Sequence, residues 1–197
     1  MPTLRINGTA GYHSNPSRQT VCADIPEYGI VLDAGTAITR LRGKIQTGAL
    51  DIFLSHAHLD HSIGLTYLLN VLWRTDIKAR VWGIREHLEA VRAKLFGSEL
   101  FPLQFGGKEC PYETREVVPG NWCGVYRPDT GKTFSFYAQA LEHPGTSVGY
   151  RFRLDEKTLA YVTDTTCSLK YQDLLRGADL LLHECNFPDA LPGMDRE

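Results

Sequence analysis

The chain has 197 residues, 43% of them hydrophobic and 22% charged, and 21 Lys and Arg stand against 23 Asp and Glu for a formal net charge of −2. That length supports one domain, residues 1–197, with a substantial core, and the composition is that of a soluble globular protein. The balance of charge excludes a global basic field that would draw the molecule to nucleic acid, and no apolar run approaches the ~20 residues of a membrane span. The N-terminal Met1-Pro2-Thr3-Leu4-Arg5-Ile6 lacks the apolar core of a signal peptide. Five cysteines, scattered and without a CxxC pair, point to a reducing, cytoplasmic compartment and free thiols. Cys110 and Cys123 are read as inert thiols, with a local clip or an extra metal as the alternative.

In chain order, residues 4–7, 20–25 and 29–32 read as strands, with Asn7-Gly8 and Tyr28-Gly29 marking turns. Asp33-Ala34-Gly35-Thr36 opens a loop and a short helix. Residues 50–55 form a buried strand and 62–73 a helix. A strand follows at 79–82, and then an amphipathic helix over 85–96 with Leu88, Val91 and Leu95 on one face. His87 on that helix is read as a surface residue. Residues 97–131, rich in Gly, Pro and aromatics, read as a long loop with one strand at 113–118. Strands at 134–141 and 147–154 come next, and another at 159–163 that ends at Asp164. A short helix over 169–175 has Gly177 as its C′ residue. A buried strand at 180–182 ends at His183, and residues 187–197 show no clear pattern. Strand meander, helix pair, strand meander, helix and strand predict sheets packed face to face with helices outside.

The densest chemistry is His56-Ala57-His58-Leu59-Asp60-His61, which holds three of the seven histidines and a carboxylate in one turn after a strand. Imidazole and carboxylate are ligands for zinc, manganese or iron. In extended backbone residues i and i+2 point the same way, so His56 and His58 can grip one ion. A turn at Leu59 aims Asp60 and His61 at a second. Three more isolated polar residues close apolar strands: Asp33 after Ile30-Val31-Leu32, His143 in Glu142-His143-Pro144-Gly145, and Asp164 after Ala160-Tyr161-Val162-Thr163. Each delivers one Asp or His to a common rim, where a rigid scaffold usually places catalytic groups.

These segments, together with Thr146-Ser147-Val148-Gly149-Tyr150 and Leu182-His183-Glu184, make the chain resemble the metallo-β-lactamase superfamily of metal-dependent hydrolases. The Gly-Tyr-Arg and His-Glu segments are most similar to its ribonuclease Z and phosphodiesterase branch. The resemblance implies an α/β fold, a four-layer αβ/βα sandwich with the site at one edge. It implies two divalent metal ions, zinc for preference and manganese or iron otherwise: His56, His58 and His143 on one, Asp60 and His61 on the other, and Asp164 bridging both. Asp60, Asp164 and His183 are the expected catalytic residues. Asp33 and Glu184 are expected to support them from behind, and His183 is expected beside the site, not on a metal. Asp164 in place of Cys argues against the branch that puts a thiolate on the second ion.

The expected reaction is hydrolysis of a phosphodiester, either a small or cyclic nucleotide or an RNA 3′ end. The excursion over 97–131 sets Lys108, Arg115 and Arg127 against Glu99, Glu109, Glu113, Glu116 and Asp129, which is not a polyanion-binding arm and favours the small substrate. A thioester or lactone hydrolase on the same metals, and a metal-binding module without turnover, are the alternatives. The family pattern continues past the His-Glu strand to a further histidine, whereas this sequence has none after His183. The fold is therefore expected to be incomplete at its C-terminal side, the chain being a fragment or completed by a homo-oligomer or a second polypeptide, with a weak second metal site as the alternative.

Overall fold

The computed structural model describes residues 1–97 and 99–185. The first sheet runs β1 (Arg5–Gly8), β2 (Cys22–Ile25), β3 (Ile30–Leu32), β4 (Ala49–Phe53), β5 (Lys78–Gly83) and β6 (Glu113–Glu116), side by side in that order. Its first pairs are antiparallel and the pairs from β3 onward are parallel. The second sheet contains β7 (Trp122–Arg127), β8 (Lys132–Leu141), β9 (Ser147–Leu154), β10 (Lys157–Val162) and β11 (Leu180–His183) in the order β11-β10-β9-β8-β7. It is antiparallel except for β10 with β11.

Alternation decides which core each strand side enters. Leu50 and Ile52 of β4 face an outer core with the helices, while Phe53 faces the space between the sheets. There Phe53 stacks on Trp82 at 5.5 Å and meets Phe134, Phe136, Tyr150 and Phe152 edge-on, the preferred geometry of aromatic pairs. Outside the first sheet lie α1 (Leu59–Ser62), α2 (Leu68–Val71), α3 (Arg85–Ala90) and several short turns. Outside the second lies α4 (Gln172–Leu175), whose Leu174 packs with Leu141, Val162 and Tyr171. The layers are helices, sheet, sheet and helix, as expected of an αβ/βα sandwich.

Four local expectations need correction. Residues 62–73 are not one helix: a 3-10 segment, Ile63–Tyr67, separates α1 from α2. Ser62 Oγ bonds back to the Ala57 and His58 carbonyls and Thr66 Oγ1 to that of Ile63, contacts that bend a helix. The excursion over 97–131 holds a second strand, β7, hidden by Gly124 and by an arginine at an inward position; Val125 and Arg127 point in, Trp122 and Tyr126 out. His87 is 2% exposed, because positions 84, 87, 88, 91 and 95 share one helical face. And β11 is not buried: among the described residues it pairs with β10 alone, and Leu180 and Leu181 are 48% and 45% exposed. The tail over 187–197 lies outside the described residues. Cys110 and Cys123 are both free thiols.

Candidate metal centre

The two sheets bring their strand ends to one rim. Strands β3 and β4 are parallel neighbours, so Asp33 and Ser55-His56 emerge side by side. Strands β8 and β10 both run antiparallel to β9, and β11 runs parallel to β10, so His143, Asp164 and His183 emerge together from the second sheet. Cross-sheet bonds fasten the rim: Val148 N–H donates to the Ser55 carbonyl at 2.8 Å and Tyr150 O–H to that of Leu54 at 2.7 Å. The loop after β3 packs so closely on α1 that a Cβ on Gly35 would stand 2.3 Å from the Asp60 carbonyl oxygen. Asp33, Thr146 and Asp164 all have left-handed backbone, with φ of 55°, 62° and 49°. That is uncommon for a β-branched residue such as Thr146 and is concentrated at functional sites.

Two groups of donor atoms converge here, each within 4.8 Å of one another: His56, His58 and His143, and His56, His61 and Asp164. His143 Nε2 lies 3.4 Å from His58 Nδ1. The rings of His56 and His61 are 4.1 Å apart. Ser55 Oγ donates to Asp33 Oδ2 at 2.7 Å and can therefore accept from His56 Nδ1 at 3.0 Å. That fixes the proton on Nδ1 and leaves Nε2 with a bare lone pair. Nε2 is buried and has no hydrogen-bond partner among the described residues. A buried lone pair without a donor is costly in a finished core; facing other imidazoles, it suits a cation. Burial first and the neighbouring His61 second push the His56 pKa down to about 4, so the ring is neutral and ready to coordinate.

Asp33 is the hub behind this layer. It is fully buried and accepts from Ser55 N–H at 2.7 Å, Ser55 Oγ, His61 Nδ1 at 2.8 Å and Tyr161 O–H at 2.5 Å. With Nδ1 committed to Asp33, His61 turns Nε2 toward Asp164 at 3.0 Å and Asp60 at 3.3 Å. Burial would lower the His61 pKa, but Asp33, Asp164 and Asp60 outweigh it and push it up to about 12. Asp164 is partly buried, which would raise its pKa, yet its bond to His61 holds it well below the usual carboxylate range. The same balance lowers Asp60. Asp60 flanks His61 but belongs to neither converging group.

Glu184 Oε2 accepts from Asp164 N–H at 2.7 Å and Thr163 Oγ1 at 2.9 Å, which anchors the Asp164 turn. His183 Nδ1 lies 2.7 Å from the Glu184 carbonyl oxygen and donates to it, and Nε2 is 3.5 Å from Tyr171 O–H. Its ring lines a cleft of about 770 Å³ together with His58, Asp60, His61 and Asp164. Ser55, Tyr161, Thr163 and His87 escaped the sequence reading. His87 Nε2 donates to the Thr146 carbonyl at 3.0 Å, fastening the turn that carries His143. Only the helical phase of position 87 hinted at this.

Residues 29–194 match the family described as beta-lactamase superfamily domain. The chain belongs to that superfamily. Among curated relatives, a ribonuclease Z of Metallosphaera sedula is 24% identical over 93% of this chain and 76% of its own length. The probable metallo-hydrolase YhfI of Bacillus subtilis is 25% identical over 82% of the chain, which spans 62% of that protein. The crystal structure of YhfI superposes with a TM-score of 0.71 over 93% of this chain and 70% of its own, at 18% identity. That of the short form of human tRNase Z superposes with 0.65 over 96% and 80%, at 20% identity. The fold is thus that of the superfamily, with a His and Asp cluster at its rim.

Proposed function

We propose that this superfamily member is a metal-dependent hydrolase of phosphodiesters. The observation that carries the reading is the buried, partnerless Nε2 of His56 at the meeting of two converging donor groups. We assign His56, His58 and His143 to one divalent ion, Asp60 and His61 to another, and Asp164 to both. The all-nitrogen and oxygen set suits zinc, with manganese and iron also compatible. Ions bound there supply Lewis acidity to substrate oxygens and lower the pKa of water toward ~7. Asp33 fixes the tautomer of His61, and Glu184, accepting from Asp164 N–H and Thr163 Oγ1, anchors the turn that carries Asp164. His183, its Nδ1 bound to a carbonyl, is assigned a substrate contact and, when protonated, the proton for the leaving oxygen.

The likeness to a ribonuclease Z supports a phosphodiester. The charges of the 97–131 excursion support a short one. Arg127 is buried on Asp51 and Arg115 pairs with Glu113, which leaves little positive charge to track a long polyanion. The test is elemental analysis of protein prepared without chelators, alongside a screen of aryl phosphodiester, lactone and thioester substrates. The expected result is bound transition metal and diester turnover, both lost in the His56→Ala, His58→Ala double variant. Metal retained by that variant would falsify the ligand assignment, and turnover of lactone or thioester alone would replace the substrate class.

A further inference from the structure

His183 ends β11 with its ring on the cleft, and both of its nitrogens have partners. Nδ1 lies 2.7 Å from the Glu184 carbonyl oxygen. A carbonyl only accepts, so Nδ1 carries the ring proton and Nε2 presents a lone pair. Facing Nε2 at 3.5 Å is the hydroxyl of Tyr171. The Tyr171 ring is 3% exposed and packs among Leu141, Val162 and Leu174. That packing alone would accept Phe, which has the same ring. The hydroxyl has one proton to place. It accepts from Ser168 N–H at 3.4 Å, which leaves the proton for another acceptor. Cys167 stands within its reach, but a thiol sulfur is a weak acceptor, and the imidazole nitrogen is the stronger claimant. The segment carrying Tyr171 is itself fastened. Gln139 Nε2 donates to the Lys170 carbonyl at 2.6 Å, and the Lys170 ammonium pairs with Glu142, beside His143. A line of hydrogen bonds thus runs from Ser168 through Tyr171 and His183 to Glu184, whose carboxylate anchors the Asp164 turn.

We propose that Tyr171 is the positioning residue of His183: its hydroxyl holds Nε2 at the cleft in the free protein and yields that nitrogen to the leaving oxygen of the substrate. The inference rests on the phosphodiester reading and adds to it a residue that touches neither substrate nor metal. In the step it serves, a water oxygen bonds to phosphorus and the bond to the leaving oxygen breaks with its electron pair. That oxygen takes the Nε2 proton of the doubly protonated ring, and a proton lost by the water restores the ring afterwards. Nδ1 keeps its proton on the Glu184 carbonyl throughout, so the ring has no need to flip. A bond at Nδ1 alone lets the imidazole tilt about that contact, and a second at Nε2 fixes its plane, which is what orientation demands of a proton donor. A hydroxyl serves both charge states, because it donates to a lone pair and accepts from an N–H.

Tyr171→Phe removes the hydroxyl and keeps the packed ring. Two diesters tell positioning from packing, measured on the metal-loaded protein. Thymidine 5′-(p-nitrophenyl phosphate) releases a phenolate that leaves without a proton, whereas a thymidine dinucleotide releases an alkoxide that needs one. The readout is the ratio of kcat on the dinucleotide to kcat on the nitrophenyl ester. It is expected to fall about tenfold in Tyr171→Phe, a part of the ~100–10,000-fold that a positioned proton donor contributes, with the change in kcat and not in KM. In His183→Ala the ratio is expected to fall further, and adding Tyr171→Phe to that variant should lower it no more. A second readout needs no turnover: in ¹⁵N spectra of the imidazoles, the His183 Nε2 signal is expected to move in Tyr171→Phe toward that of an unbonded ring nitrogen. Equal loss on both diesters would overturn the proposal by showing that the hydroxyl serves only the Ser168 turn, and an unmoved Nε2 signal would overturn it by showing that the bond is not made. Absence of turnover on both diesters in the unaltered protein, with metal bound and the Nε2 shift observed, would instead remove the phosphodiester reading and leave the Tyr171–His183 bond standing.

Discussion

At the residue scale, the metal role proposed for His61 turns on its proton. Its Nδ1 is held by Asp33 and its Nε2 faces Asp164 and Asp60. Burial would lower its pKa, but the carboxylates outweigh burial and push it up to about 12. An ion binding there must displace that proton, whereas His56, with a pKa of about 4, has none to lose near neutrality. Affinity at the His61 group is therefore expected to rise about tenfold per pH unit between pH 6 and 9, with about one proton released per ion. Calorimetry in buffers of differing ionisation enthalpy counts the proton, and a pH-independent affinity would contradict the charge state. Asp164 and Asp33 divide differently. Asp164→Ala removes a carboxylate from the cluster itself and is expected to cost turnover by orders of magnitude. Asp33→Ala leaves the cluster but frees His61 and Ser55, and is expected to cost ~10–100-fold in metal affinity. Equal, small effects on kcat and metal content would place the activity elsewhere.

At the element scale, the turn carrying His143 depends on α3. His87 projects from that helix across to the Thr146 carbonyl. Burial lowers its pKa more than that hydrogen bond raises it. Thr146 N–H closes the turn onto the His143 carbonyl at 3.0 Å. His87→Leu would leave the Thr146 oxygen without its donor, an effect of ~1–3 kcal/mol. Weakened metal binding at His56, His58 and His143 is expected along with lower thermal stability. His87→Gln, which keeps an N–H donor, should restore much of both. Loss of stability with metal affinity untouched would show that the bond serves only packing.

At the scale of the whole molecule, one buried ion cluster ties the sheets. Asp51 on β4 receives Arg80 at 2.6 Å and Trp82 Nε1 at 2.7 Å from β5, and Arg127 at 2.5 Å from β7 in the other sheet. Arg127 also reaches the Ala49 carbonyl, and Asp129 beside it accepts from Gly48 N–H at 2.6 Å. Asp51 and Arg127 are fully buried. Removing one member of such a set leaves an uncompensated charge and costs ~3–5 kcal/mol. Asp51→Ala is therefore expected to lower the unfolding midpoint in urea well beyond the shift caused by Asp24→Ala, whose partner Arg5 is partly exposed. Similar midpoints for the two variants would mean that the cluster is dispensable.

The motif His56 to His61, the strand-end residues Asp33, His143 and Asp164, and the face-to-face sheets were legible in the sequence. Such features are local: a period of two, an apolar run, a polar residue at its end. Phase concealed the rest. His87 was misread because one polar residue on an apolar helical face looks like surface until the opposing turn is in place. Strand β7 was missed because Arg127, an inward arginine, makes sense only once Asp51 of another strand stands opposite. Strand β11 looked buried because Leu180-Leu181-Leu182 is apolar, while exposure depends on which neighbours pack on it, and among the described residues β10 alone pairs with it. The sequence by itself determined which His and Asp residues stand at the strand ends. Only the tertiary structure decided the partnerless Nε2 of His56 and the hub of Asp33, because each joins residues far apart in the chain through hydrogen bonds and packing that no local pattern encodes.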